Sequence, residues 1–308
     1  MTNMKIEQNL QQDLISVCIC TYKRPELLAR ALNGIISQDT DNKFSFEVIV
    51  VDNDSKRSAE AIVKMYQGNA DQKIVYDCEP EQNIALARNR TIRSASGNFI
   101  ALIDDDELPA GNWLCKMYHC LKKYHADSVL GPVLPEFPSG APEWLKKSGL
   151  CDRPRNVTGS PITHRDLRTG NILLQRKVFE KNDIWFDPSR GRTGGEDGEF
   201  LSRQIKSGRK FVWCDEAVVF ERVQEDRWDE SFYLKRSFLI GTINGKKARH
   251  SREFNAIIKP SIFLLVYSFL FLFSLLFGKH AWMKVLTKVY YNAGCALSFL
   301  ALARVQNR

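Results

Sequence analysis

Several common function classes leave no mark on this chain. None of its eight cysteines forms a CxxC pair and its five histidines are dispersed, which excludes a zinc ribbon or a thioredoxin-type redox centre. Reduced, buried thiols of a cytosolic protein are the expectation for the cysteines. His119 and His125 stand six apart on one expected helix, so they do not share a face and read as bystanders. No GxGxxG follows the first apolar run, Ile15–Cys20, which sets aside a dinucleotide-dependent oxidoreductase. The opening MTNMKIEQNLQQD is polar and without an apolar core, so no signal peptide is expected there. Internal repeats and low-complexity tracts are absent as well.

Acidic residues are missing from one end only. From Lys235 to Arg308 there are 12 Lys and Arg against a single acid, Glu253, a net +11, so residues 1–234 carry −3 of the chain's +8. A basic C-terminal quarter on a mildly acidic body argues against nucleic acid as the partner. The same quarter holds Ile262–Phe277 (IFLLVYSFLFLFSLLF), sixteen residues without a charge. As a helix it spans about 24 Å, against roughly 30 Å for the hydrocarbon core of a bilayer. A weaker apolar run covers Val289–Ala303. Either two buried core helices or membrane attachment by an interfacial or hairpin insertion satisfies this pattern. The basic flanks favour attachment to an anionic, cytoplasmic-side membrane surface, each Lys or Arg adding about 1 kcal/mol.

The body is organised differently. ISVCIC is followed by a helix that Pro25 opens, with Leu27, Leu28, Ala31, Leu32 and Ile35 on one face. FEVIVVDNDS is a second strand ending at Asp52, Ser58–Tyr66 a helix, Lys73–Tyr76 a short strand, and Asn83–Ser96 a helix stopped by Gly97. Phe99–Ile103 is a fourth strand that runs into Asp104-Asp105-Asp106-Glu107. Strands alternating with helices indicate parallel βαβ units, whose ligands bind beyond the carboxyl ends of the strands. Three polar endings gather there: Thr21–Arg24, Asp52–Asp54 and Asp104–Asp106. Beyond Trp113 the pattern is irregular until TGNILLQRKVF and GGEDGEFLSRQIKSGRKFVWCDEAVVF, read as loop, helix, a turn at Gly208 and a strand.

In a strand residues two apart share a face, so Asp104 and Asp106 are expected to project together and Asp105 the other way. Such a pair suits a hard divalent cation, Mg2+ or Mn2+. An acidic run at the start of the helix that follows Pro109 explains it equally well when it stands alone. Gly194-Gly195-Glu196-Asp197 opens another helix, and acids in a first turn are ordinary caps. Together the two clusters fit a transfer reaction. One carboxylate set holds a phosphate leaving group while another carboxylate takes a proton from the nucleophile.

ISVCICTYKRPELLARAL, FEVIVVDNDS, NIALARNRTIRSASGNFIALIDDDELP and GGEDGEFLSRQIKSG stand in the order and spacing of the family 2 glycosyltransferases. The chain resembles that family over roughly residues 14–222, and most of all its bacterial members of exopolysaccharide and lipopolysaccharide synthesis. The resemblance implies a GT-A fold, a Rossmann-like, mostly parallel α/β sheet flanked by helices. It implies a nucleotide-sugar donor, UDP-linked by expectation, and a glycan or lipid-linked glycan acceptor. Thr21, Arg24, Asp52, Arg88, Asp104 and Asp105 would then bind the nucleotide-sugar, with Asp52 reading the base. Asp104 and Asp106 would be the DXD pair, Asp106 holding Mn2+ or Mg2+. Asp197 would be the base for an inverting displacement and Glu196 would orient the acceptor.

Three segments follow from this: a polar tail over 1–13, the GT-A domain over 14–222, and a helical membrane-associating segment over 223–308. Two departures accompany the resemblance. Glu221 stands where many members carry a histidine. Gln224, Arg227 and Trp228 spell the QxxRW of processive synthases, but closer to GGED than those enzymes place it; a role near the pyrophosphate and surface packing are equal readings of Arg227 and Trp228. Single-sugar addition at the cytoplasmic face of the inner membrane is the expectation. A nucleotidyltransferase of similar architecture and a non-catalytic membrane-bound scaffold are the alternatives.

Overall fold

The structure, a computed structural model, describes residues 12–163, 166–179, 185–250 and 255–299. Residues 1–11 of the polar tail, Glu253 and the end of the 289–303 run lie outside the described residues. Two compact units are present, one combining the chain up to Leu134 with Arg153–Glu221, the other combining Pro135–Asp152 with the residues from Arg222 onward.

The first unit is built on β1 (Asp13–Thr21), α1 (Pro25–Ile36), β2 (Phe44–Asp52), α2 (Glu60–Gln67), β3 (Ile74–Cys78), α3 (Ile84–Ser94) and β4 (Phe99–Leu102). It continues through β5 (Glu107–Pro109), α4 (Trp113–Lys123), β6 (Ser128–Leu130) and β7 (Val133–Glu136). After α5 (Glu143–Ser148) in the second unit come β8 (Ile172–Gln175), α6 (Glu196–Lys206), β9 (Phe211–Trp213) and β10 (Val219–Arg222).

The main sheet has seven strands in the order β3-β2-β1-β4-β8-β6-β9. β1 pairs in parallel with β2 and β4, and β8 is antiparallel to both of its neighbours, β4 and β6. This is the mostly parallel α/β architecture expected from the alternating pattern. Strand residues alternate between two cores because both faces are covered. Val17, Ile19, Val48 and Val50 pack with Leu28, Leu32, Val63 and Trp113, whereas Cys18, Ile49, Ile100 and Leu102 pack with Ala85, Ile92, Phe200 and Leu201. α1, α2 and α4 therefore cover one face and α3 and α6 the other. A smaller sheet, β5-β10-β7, stands beside it.

Two local readings change. Gly97 does not end α3 in a left-handed turn, since α3 closes at Ser94 with Ala95 extended. A Cβ on Gly97 would lie 2.5 Å from the Leu14 carbonyl oxygen and 2.7 Å from the Ser16 nitrogen. The glycine is there because the β1 backbone passes too close for any side chain. The second change is that β4 stops at Leu102, so the aspartates belong to a turn and not to the strand.

The second unit consists of α5, α7 (Glu230–His250), α8 (Asn255–Ser274) and α9 (Lys279–Phe299). α7 and α9 meet through Gly241, Gly245 and Gly294; a Cβ on Gly241 or Gly294 would fall on the backbone oxygen of Tyr291 or Phe238. Such small-residue crossings let helix backbones approach closely. Trp228 packs in this unit, its Nε1 donating to the Val223 carbonyl at 3.2 Å. Among the described residues one helix, Ile258–Phe277, is long and apolar enough to cross a membrane, with a mean hydropathy of 2.2 and only 6% of it buried.

Candidate active site

β1, β2 and β4 end side by side, and their last residues carry the polar groups. Thr21, the last residue of β1, donates from Oγ1 to Asp105 Oδ2 at 2.8 Å. Arg24, just before α1, reaches Asp105 Oδ1 at 3.4 Å and Asp106 Oδ2 at 3.5 Å. Asp105 and Asp106 thus turn toward the same arginine instead of pointing to opposite faces. The cause is the turn that begins after Leu102, in which the Glu107 amide donates to the Asp104 carbonyl at 3.2 Å and Glu107 accepts from the Asp104 amide at 3.1 Å.

Asp104 points elsewhere, toward Arg88 on α3, 3.6 Å from Nη2. The other end of the Arg88 guanidinium ion-pairs with Glu196. Burial works against the charge of Arg88, but Asp104, Glu196 and Asp197 around it more than offset this and hold it cationic. One buried cation thereby joins the aspartate turn to the start of α6. Glu196 itself is 4% exposed, and its Oε2 is buried without a hydrogen-bond partner. Gly194 and Gly195, at φ 83° and 91°, supply the left-handed backbone that brings the chain into α6. Asp197, partly exposed in the first turn, accepts from the Gly198 amide at 2.7 Å.

Asp52 is fully buried at the end of β2. Its oxygens accept from the amides of Asp54 (3.0 Å) and Ala59 (2.7 Å) and from the Tyr76 hydroxyl (3.2 Å). The carboxylate therefore shapes the loop after β2. Asn53 and Asn83 extend that loop network: Asn53 donates to the carbonyls of Glu79 and Glu81 and accepts from the Asn83 amide, while Asn83 caps α3.

Of the residues that complete the acidic cluster, sequence reasoning pointed to Glu221 but not to Arg153 or Arg168. The antiparallel register of β10 on β5 sets Glu221 opposite Glu107. Arg153 ion-pairs with Glu221, and Arg168 donates to the Gly131 carbonyl at 3.0 Å while its Nε is buried and unpartnered. The polar stretch 150–166 carries no apolar periodicity, so only its arginines could have hinted at a site. Burial, then Asp104, Asp105 and Glu221, push Asp106 up to about 7, against Arg24 alone pulling it down. Glu107 is raised well above the usual carboxylate range by burial and by Asp104. Burial, with Arg153 adding to it, lowers Arg168 to about 10.

Carboxylates that raise one another in this way, and offer only hard oxygen donors, fit a divalent cation such as Mg2+ or Mn2+. Among the described residues, the group of three ligating side chains whose ligand atoms come within 4.8 Å of one another lies elsewhere, at Asp41, Cys115 and His119. Mg2+ bound by one or two carboxylates ordinarily completes its shell with waters and substrate phosphates.

An acidic turn at the carboxyl ends of a doubly covered α/β sheet, bridged by an arginine to acids at a helix start, agrees with the arrangement that the resemblance to GT-A sugar transferases implies. The model of glycosyl transferase family 2 matches residues 16–183, and the chain belongs to that family. The succinoglycan biosynthesis protein ExoM of Rhizobium meliloti (strain 1021) is 32% identical over 235 residues, covering 75% of this chain and 74% of that one. The hyaluronan synthase of Pasteurella multocida is 24% identical over 248 residues; this chain spans 25% of its length, and 70% of this chain is covered. Among solved structures, S. aureus TarS 1-349 in complex with UDP-GlcNAc superposes with a TM-score of 0.53 at 20% identity, covering 74% of this chain and 65% of that one. The chain is a glycosyltransferase, similar to enzymes of polysaccharide synthesis.

Proposed function

We propose that this enzyme moves one sugar from a UDP-sugar to a hydroxyl of a glycan or lipid-linked glycan acceptor, with inversion, in cell-surface polysaccharide synthesis. The observation that carries the reading is Arg88, which ties Asp104 to Glu196 and so holds the donor-side and acceptor-side acids in one frame. Asp197 takes the proton of the acceptor hydroxyl, whose oxygen attacks the anomeric carbon as the bond to the nucleoside diphosphate breaks. A single in-line displacement inverts that carbon and needs no enzymic nucleophile. Glu196, with one oxygen held by Arg88 and the other buried and unpartnered, orients the acceptor. Thr21, Arg24 and Asp105 line the donor pocket as one hydrogen-bonded unit. Asp52 contributes by holding the loop that meets the base.

A divalent ion on Asp106 and Asp104 would neutralise charge developing on the diphosphate. UDP is favoured because the structure of TarS, similar in fold, is in complex with UDP-GlcNAc. Attachment to the cytoplasmic face of the inner membrane is supported by the exposed, apolar Ile258–Phe277 helix and its basic surroundings. A thermal-shift panel of UDP-, GDP- and dTDP-sugars, with and without Mn2+, tests the donor. UDP-sugars with Mn2+ are expected to raise the melting temperature most. Equal shifts for all bases, or shifts indifferent to Mn2+, would remove the nucleotide and metal assignments respectively.

A further inference from the structure

The trio Asp41, Cys115 and His119 plays no part in the chemistry above. Cys115 and His119 are four residues apart on α4, so they present their ligand atoms from neighbouring turns of one face. His119 is therefore paired by the fold with Cys115, a neighbour that comparison with His125 alone does not reveal. Asp41 comes from the α1–β2 turn. There it takes a left-handed backbone (φ 49°), followed by Asn42 at φ 51°. The turn is preset: Asp41 donates its amide to Asp39 Oδ1 at 2.9 Å, and the Asp39 amide donates to the Gly111 carbonyl at 2.9 Å, just ahead of α4. One carboxylate oxygen, one thiol and one imidazole nitrogen then lie within 4.8 Å of one another.

We propose that Asp41, Cys115 and His119 form a second cation site, selective for a borderline divalent ion of the Zn2+ class. The ligand set decides the class. A thiolate and an imidazole suit Zn2+, whereas Mg2+ and Mn2+ prefer all-oxygen donors of the kind found in the crevice. Three protein ligands leave a fourth, tetrahedral position for water, since Asp41 and His119 are exposed. Binding exchanges the Cys115 thiol proton for the metal, and the proton leaves to solvent. The site lies at the amino end of β2, whereas the crevice lies at the carboxyl ends of β1, β2 and β4. It acts as a clip between the α1–β2 turn and α4, not as part of the transfer chemistry.

Co2+ titration of the full chain, followed by absorption, tests this. Wild type is expected to develop a saturable thiolate-to-cobalt charge-transfer band that Zn2+ removes and excess Mg2+ does not. Cys115→Ser should abolish the band. His119→Ala should weaken Co2+ binding by more than the roughly tenfold that loss of an outer-shell partner costs. Asp106→Ala, in the crevice, should leave both unchanged. A wild type without the band, a band that survives Cys115→Ser, or a band lost in Asp106→Ala would each overturn the assignment. All three substituted side chains leave the hydrophobic cores intact, so a circular-dichroism melt close to wild type accompanies the expected result.

Discussion

The crevice and the C-terminal helices of this enzyme handle water in opposite ways. In the crevice, charged groups are buried: Asp52, Asp105, Glu107 and Glu196 are all 6% exposed or less. In the helical unit, large apolar groups are exposed: Leu265 74%, Phe269 62%, Leu272 62% and Leu276 82%. Each arrangement is costly for an isolated chain in water. The first is offset from within by arginines and backbone amides. Among the described residues the second has no such offset, which supports the proposed contact with an outside apolar phase. A charged site can thus be completed by its own fold, while an apolar helix face needs a partner.

The largest expected effect concerns the second region. Introducing Asp at Leu265, Phe269 and Leu272 together should abolish co-sedimentation with anionic lipid vesicles, because each acid costs about 2.5–3.5 kcal/mol at the centre of a membrane helix. The positions are exposed, so folding should survive, and undiminished co-sedimentation would end the idea of membrane attachment through this helix.

Next comes Asp197, the proposed base. Asp197→Asn should slow sugar transfer by about 10²–10⁴-fold, measured as UDP release, while calorimetry finds nucleotide-sugar binding nearly intact. Wild-type turnover in that variant would move the base elsewhere. Arg88→Met should cost about 3–5 kcal/mol of stability, since it leaves Glu196 buried with an uncompensated charge. A denaturant midpoint equal to wild type would show that Glu196 does not depend on the pair.

The smallest effect is one of pH. Asp106, at about 7 when folded, lies well above its ordinary value of 3.8. Between these values the folded state holds a proton that the unfolded state has lost, so this group makes the metal-free protein less stable as pH rises from about 4 through 7. Mn2+ needs the carboxylate ionised. The Mn2+-induced rise in melting temperature should therefore grow from pH 5.5 to 8 and flatten in Asp106→Asn. A shift independent of pH in the wild type would separate Asp106 from the metal.

Spacing and periodicity located β1 to β4, the helix after Pro25, the glycine turn at 208 and the acidic runs at 104–106 and 196–197, because each depends on local order along the chain. What escaped depends on contact between distant segments. The run FIALIDDD does not say where the strand stops. That is decided by the Glu107–Asp104 turn, which brings Asp105 and Asp106 to the same arginine where opposite faces were expected. Gly97 reads as a helix stop until the β1 backbone is seen beside it. Arg153 sits in a stretch without periodicity and Arg168 just past its end, and both gain meaning only from Glu221 and Glu107. Asp41 lies in a turn, and no helical pattern links it to Cys115 and His119.

The register that sets Glu221 against Glu107 joins residues more than a hundred positions apart. A slip of one residue would turn Glu221 to the opposite face of the small sheet. Contacts of such long range are slow to form, since the loop-closure entropy must be met before they stabilise anything. β1 to β4 and their helices come from the first 102 residues, but on their own they leave the aspartate turn without Glu221 and Arg153, and Arg88 without Glu196. A chain cut short before β10 would therefore lack Glu221 beside Glu107 in the proposed donor site.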